Sequence, residues 1–188
     1  MDKRVLKTKK AIIDAVLELI LQYDFNKITV KMVTDKANIG RKTFYLHFGC
    51  IDDVIVEYKN SLEQELEKSV DNNFKNTKND IHNIFNDLTD LIKNNISFYQ
   101  RIAKNDTYLF IRNIFEQMLE ATINKIYYRL YHTDSTNVSY YSSFYAAGIT
   151  RLYFDYLKGS ISITLDEVKD ISKRACFLSL DDIINRKH

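Results

Sequence analysis

Apolar residues along this chain recur every three to four positions far more often than they alternate, which is the pattern of helices packed by one face. In the first such stretch, from about Lys7 to Tyr23, Ile12, Ala15, Val16, Leu19 and Ile20 share a face, while Lys9, Lys10, Asp14 and Glu18 lie away from it. Thr29 is a good N-cap for a short second helix, Val30 to Ala37. Asn38-Ile39-Gly40 then interrupts the chain with two residues that tolerate left-handed backbone angles, so a tight turn is predicted there. A third short helix follows, Arg41 to His47, with Gly49 expected to supply its C-terminal cap.

The pattern continues in longer units. Val54, Ile55, Tyr58, Leu62 and Leu66 form the stripe of a helix from about Asp52 to Val70. The polar, Asn/Lys-rich stretch Asp71 to Asn79 reads as a loop or frayed end, and is the best linker candidate between functional halves. Helices are then predicted over Ile81 to Ile96, Phe98 to Ala103 and Tyr108 to Tyr131. A loop around His132 to Asn137 leads into Val138 to Leu157, which ends at Lys158-Gly159. The last helix starts after Thr164, where Thr164-x-x-Glu167 forms a capping box, and runs to about Asn185. The chain has no proline and four glycines, too few turn residues for a sheet protein of this size. The fold class expected is all-α: an N-terminal three-helix helix-turn-helix domain plus a C-terminal helical bundle, eight or nine helices in total.

Charge divides the same chain. Residues 1–50 carry ten Lys/Arg against five Asp/Glu, a net of +5, and residues 51–188 carry seventeen against twenty, a net of −3. That asymmetry suits a small module at 1–50 that meets a polyanion, joined to a larger one at 51–188 that does not. Cys50 and Cys176 stand far apart, with no ligand pair at metal spacing, and read as reduced thiols. His47-x-x-Cys50 lacks the two further ligands a metal site needs. No apolar run is long enough for a membrane span and the start, Met-Asp-Lys-Arg, has no signal-peptide stretch, so a cytoplasmic location is expected. No phosphate-binding glycine loop or nucleophile arrangement is present, so neither catalysis nor a cofactor is expected.

The most specific signal is residues 29–49, TVKMVTDKANIGRKTFYLHFG. Two short helices joined by a three-residue turn with an apolar residue in it meet the requirement of a helix-turn-helix. Val33, Ala37, Ile39, Phe44 and Phe48 point inward, which leaves Lys42, Thr43, Tyr45, Leu46 and His47 for the outer and leading faces. Arg41 and Lys42 sit at the end of the recognition helix that enters a major groove. With the pattern T-x-x-x-[apolar]-x-x-x-A…T-[FL]-Y-x-H-F, residues 8–60 resemble the tetracycline-repressor (TetR) family of bacterial regulators. The stretch YYSSFYAAGITRLYFDYLKGSI, followed by a capped last helix, extends the resemblance toward the whole chain.

The resemblance implies a transcription regulator that binds a double-stranded DNA operator. Thr43, Tyr45 and His47 match recognition-helix positions that meet DNA, Thr29 matches a backbone contact, and Arg41 and Lys42 hold the variable, specificity-setting positions. The basic run that includes Lys9 and Lys10 reads either as an arm tracking phosphates or as an ordinary solvated face. Tyr45 and His47 also have plain packing readings. Three residues depart from the family: Gly40 where a hydroxyl often caps, Lys42 where a small residue is common, and Ile51 where a lysine is frequent.

In the second half, Tyr141, Phe144, Tyr145, Gly148, Leu152 and Tyr156 fall at helical spacing around Ala146-Ala147-Gly148. A helical glycine costs about 1 kcal/mol against alanine, and close approach by another helix is a reason to tolerate it. The last helix offers Ile171, Ala175 and Leu178, with Val168 and Ile183. The resemblance implies that these two helices pair with their symmetry mates in a homodimer; packing within one chain is the alternative. Phe98, Tyr99, Tyr108, Phe110, Phe115, Tyr127, Tyr128 and Tyr131 suit either a cavity for a small hydrophobic or aromatic effector or a solid core. The reading is therefore a homodimeric repressor on a palindromic operator, released by a small molecule. The alternative is a regulator gated by a protein partner, or an activator without a pocket.

Overall fold

A computed structural model of the chain describes residues 3–75, 82–131 and 136–185. Within them the protein is all-α, with nine α-helices, two 3-10 turns and no strand. The N-terminal head is α1 (Lys3–Gln22), α2 (Val30–Ala37) and α3 (Arg41–His47). The body is α4 (Ile51–Lys75), α5 (His82–Asn94), α6 (Ile96–Ala103), α7 (Leu109–Tyr131), α8 (Thr136–Lys158) and α9 (Leu165–Asn185).

Helices α1 and α4 bury the faces their spacing marks. On α1 these are Ile12, Ala15, Val16, Leu19 and Ile20, and α1 packs against α2, α4 and α6. On α4, Val54, Ile55, Leu62, Leu66 and Val70 are buried. Buried side chains run as one cluster from Ile12 in α1 to Cys176 in α9, so head and body share a core. α7 and α8 form the most extensive helix pair. The capping box forms as read: the Glu167 N–H donates to Thr164 Oγ1 at 3.2 Å, and the Thr164 N–H donates to Glu167 Oε2 at 2.7 Å. Gly159 closes α8 with a left-handed φ of +79°, where a side chain would be strained.

Three local expectations change. α4 continues through Asp71 to Lys75, so the polar stretch is helical for its first part, and 76–79 lie outside the described residues. Asp71 is tied there by Arg129 of α7 at 2.5 Å, which gives a polar residue a reason to stay in the helix. Gly49 is not in the left-handed region; Asn38, after α2, is, with φ 52° and ψ 49°. The Gly49 N–H instead donates to Asp53 Oδ2 at 2.8 Å, and a Cβ at 49 would meet that oxygen at 3.0 Å. Finally, the loop expected at 132–137 is shorter, because α8 begins at Thr136; 132–135 lie outside the described residues.

Candidate nucleic-acid interface

The head is built to hold α3 at the surface. Thr29 Oγ1 accepts the Met32 N–H at 3.3 Å and starts α2. Asn38 ends α2, and the Ile39 N–H returns to the Thr34 carbonyl at 3.0 Å, which turns the chain sharply and lays Ile39 half-buried against the core. Gly40 precedes α3 without a side-chain cap; its carbonyl accepts the N–H groups of Thr43 at 2.9 Å and Phe44 at 3.2 Å. Phe44 is fully buried and Phe48 nearly so, their ring centroids 6.0 Å apart. Those two aromatic anchors fix the rotation of a helix too short to be stable by itself.

With Phe44 and Phe48 inward, the opposite face is decided. Arg41 and Lys42 are exposed, Tyr45 is 57% exposed and Leu46 79% exposed. Lys42, Tyr45 and Leu46 stand at i, i+3 and i+4, hence on one face. The Tyr45 ring lies edge-on to Phe44 at 5.5 Å, which orients its hydroxyl outward. Thr43 and His47, also four apart, flank this face half-buried, and Thr29 is exposed at the start of α2.

The basic residues of the head separate into two groups. Lys36 pairs with Glu18 at 2.5 Å and Lys27 with Asp24 at 3.2 Å. Arg41, Lys42 and Lys31 make no ion pair among the described residues and are exposed. The two lysines expected in the arm and first helix are placed differently. Lys9 donates to Glu57 of α4 at 2.8 Å and lies 5.7 Å from the Phe48 ring centroid, so it braces α1 against α4. Its place, one turn before the buried Ile12 and facing α4, explains the inward turn. Lys10 stays at the surface with a 3.2 Å contact to Asp14.

A polar clasp that no sequence pattern foreshadows joins head to body. Asp24, between α1 and α2, accepts Arg101 at 3.1 Å and Asn105 at 3.2 Å, and the Tyr108 hydroxyl donates to the Tyr23 carbonyl at 2.9 Å. Phe25 packs on Phe110 with centroids 5.0 Å apart. These partners lie 77 to 85 residues apart along the chain, beyond any local pattern.

Comparison with known families places both halves. Residues 12–58 match the bacterial regulatory proteins of the tetR family, and residues 79–175, just over half of the chain, match the transcriptional regulator C-terminal region TetR_C_8. The chain belongs to the tetR family. It is accordingly a DNA-binding transcription regulator.

Compared with curated proteins, the sequence has no significant match. Solved structures share the fold of this tetR-family chain at low identity. The dihydroxyacetone kinase operon activator DhaS is 21% identical, with a TM-score of 0.66 over 94% of this chain and 96% of that one. FadR of Thermus thermophilus, a transcriptional repressor in complex with lauroyl-CoA, is 17% identical, with a TM-score of 0.65 over 89% and 92%. A TetR transcriptional regulator from Streptococcus agalactiae is 20% identical, with a TM-score of 0.62 over 91% and 94%.

The body of this tetR-family protein carries a second exposed apolar face, on α8 and α9. Phe144 is 73% exposed and Tyr140 69%; Tyr141 and Ile171 are also exposed, with Gly148 and Ala175 beside them and Leu152 half-buried. A Cβ added at Gly148 meets no atom within 4 Å, so this chain's own packing does not require glycine there. Two residues expected on that face are turned otherwise. Tyr145 is buried, since it follows Phe144 by about 100° of helical rotation and so points into the chain's own core. Tyr156 is half-buried against the core. The side chain of Leu178 lies outside the described residues.

The aromatic segment of the tetR-family body is largely filled. Phe98, Tyr99, Tyr108, Phe115 and Tyr127 are buried, whereas Phe110 is half-buried and Tyr128 exposed; Tyr131 lies outside the described side chains. Tyr99 meets Phe98 and Phe115 edge-on, at 5.2 and 5.7 Å. Its hydroxyl lies 3.3 Å from that of Tyr58, and burial holds both phenols above the ordinary value. Two apolar gaps beside these rings enclose about 20 Å³ each. A larger cleft, about 330 Å³, opens between α4 and α7, lined by polar groups that include Asn60, Glu63, Gln64, Glu67 and Lys125.

Proposed function

We propose that this regulator acts as a homodimer that sets two α3 helices into major grooves of a palindromic operator. The observation that carries the reading is the outward face of α3. Arg41, Lys42 and Tyr45 are exposed, the two cations make no ion pair among the described residues, and Phe44 and Phe48 lock the opposite side. Arg41 and Lys42 can donate to guanine edges or phosphates, and Tyr45, Thr43, His47 and Thr29 supply further donors for backbone oxygens. Lys10 adds phosphate attraction at the margin, and Lys9 holds α1 in register through Glu57. Residues 1–50 form the DNA-binding part, and residues 51–188 form the part that dimerises and receives the signal.

The face formed by Tyr141, Phe144, Gly148, Leu152, Ile171 and Ala175 supports pairing of α8 and α9 with their symmetry mates. Large exposed aromatics next to a glycine with open space above it suit an isologous helix interface. A specific observation favours the second reading of control, by a protein partner or as an activator without a buried ligand. The apolar gaps of about 20 Å³ have room for about one water-sized group each, far below the roughly 300 Å³ or more of a small-molecule pocket. A hydrophobic effector would have to open that part of the core.

Selection of duplexes from a random pool, followed by binding at several salt concentrations, tests the proposal. Two chains per duplex are expected, on half-sites one helical turn or a multiple of it apart. Binding of one chain per duplex, or no preferred sequence, would contradict it.

A further inference from the structure

Leu46 is the most exposed large apolar side chain among the described residues, at 79%. It lies on the interface face in the last turn of α3: Lys42 precedes it by one turn and Tyr45 by one residue. Its neighbours each have polar work to do against DNA, and Leu46 has none, since its side chain neither donates nor accepts a hydrogen bond. Nor does it support the head, because the core side of α3 is filled by Phe44 and Phe48. An isobutyl group held in water on a helix that enters a major groove calls for a dry partner there. Among the base edges of that groove, the apolar feature is the C5-methyl of thymine.

We propose that Leu46 reads a thymine by packing on its C5-methyl group, once in each half-site. The proposal rests on α3 being the recognition helix, as inferred above, and adds the base that one residue selects. The position along the helix limits where the thymine stands. Leu46 follows Lys42 by four residues, about 6 Å of helix rise, or roughly two base-pair steps. The thymine is therefore expected within about two base pairs of the pair that Lys42 reaches. Discrimination by Leu46 is against cytosine, whose edge presents an amino group, and against purines, whose edges present only polar atoms.

The test uses the whole protein and the duplex that it selects from a random pool. Each thymine is replaced in turn by deoxyuridine, which pairs identically and lacks only the methyl group. One thymine per half-site is expected to weaken wild-type binding by about four-fold, and symmetrical replacement in both half-sites by about fifteen-fold. Leu46→Ala should bind the thymine duplex about as weakly as the wild type binds the deoxyuridine one, and should not distinguish the two. Leu46→Met, which keeps an apolar tip, should restore discrimination in part. Both variants should melt at the wild-type temperature, because the side chain is exposed. Equal wild-type affinity for every deoxyuridine duplex would overturn the proposal. So would a Leu46→Ala protein that still distinguishes the two duplexes, or one that binds both as tightly as the wild type does. Failure of the wild type to bind any duplex in a salt-dependent way would overturn the recognition-helix reading itself, and is a different result from these.

Discussion

The two faces with the most exposed apolar groups, one on α3 of the head and one on α8 and α9 of the body, differ in what surrounds them. On α3, Leu46 and Tyr45 stand beside Arg41 and Lys42, which make no ion pair among the described residues. On α8 and α9, Phe144, Tyr140, Tyr141 and Ile171 are exposed, Gly148 follows Phe144 by one turn with open space above it, and Arg151 is paired with Asp155 at 2.6 Å. Apolar exposure alone marks a surface that meets something; the state of its charges indicates what. Unpaired cations suit a polyanion, whereas neutralised charge beside aromatics and a small residue suits another helix. The head ties some of its cations down and leaves Arg41, Lys42 and Lys31 exposed, and inside the body the Thr89 and Tyr153 hydroxyls pair at 3.0 Å.

The contrast breaks most severely at Phe44. Phe44→Ala empties a fully buried site under the recognition face and should cost roughly 3–5 kcal/mol in urea unfolding. Operator binding should be lost with it, and a change below 1 kcal/mol would mean that α3 is not held by this anchor. Gly148→Leu acts at the other end. The added side chain meets open space within one chain, so the fold should survive. The sedimenting species should become monomeric, and operator affinity should fall by about 100-fold or more, near 2.8 kcal/mol. A dimer unchanged in sedimentation would move the interface elsewhere.

A smaller effect belongs to the body alone. Burial pushes the Cys176 thiol up from 9.0 to about 11 and the Tyr153 phenol from 10.0 to about 12. Above the ordinary values, the unfolded chain gives up protons that the native state keeps, so stability falls as pH rises through 9 toward 11 and 12. Urea unfolding should show a loss of about 1–2 kcal/mol between pH 8 and pH 10. A flat profile over that range would mean that neither group is shielded from solvent. The smallest effect is at the clasp. Asp24→Ala removes the acceptor of Arg101 and Asn105; because the pair is about one-third exposed, the loss should be only about 1 kcal/mol. Amide exchange should rise around residues 23–28 and not in α9; a uniform rise would deny the clasp a local role.

Much of this was legible in the chain. Val30–Ala37 and Arg41–His47 fall where Thr29, Asn38 and Gly40 punctuate the pattern, because caps and left-handed residues are local chemistry. The outward set of α3 also follows from spacing, with Phe44 and Phe48 as its anchors. Orientation within a broad apolar stripe was harder: Tyr145 and Phe144 are neighbours, and only packing tells which one faces inward. Lys9 shows the same limit for charge, since nothing near it in sequence announces Glu57. Asp24 with Arg101 is the extreme case, a tertiary contact between residues that no periodicity links. The length of α4 was underestimated because Asp71 looks like a loop residue until Arg129 is brought beside it.

The central claim is that the outward face of α3 meets DNA, and the salt dependence of operator affinity tests it most directly. Each phosphate neutralised contributes a log–log slope of about −0.9, and a dimer doubles every contact. If Lys42 meets a phosphate, Lys42→Ala should flatten the slope by nearly two units, whereas Lys173→Ala, in α9, which packs on α5 and α8 of the body, should leave it unchanged. If Lys42 instead reads a base, affinity should drop by about 1–3 kcal/mol with relaxed preference at that base pair. Unchanged slope, affinity and preference with Lys42→Ala, or an equal change with Lys173→Ala, would contradict the assignment of α3 as the DNA-reading helix.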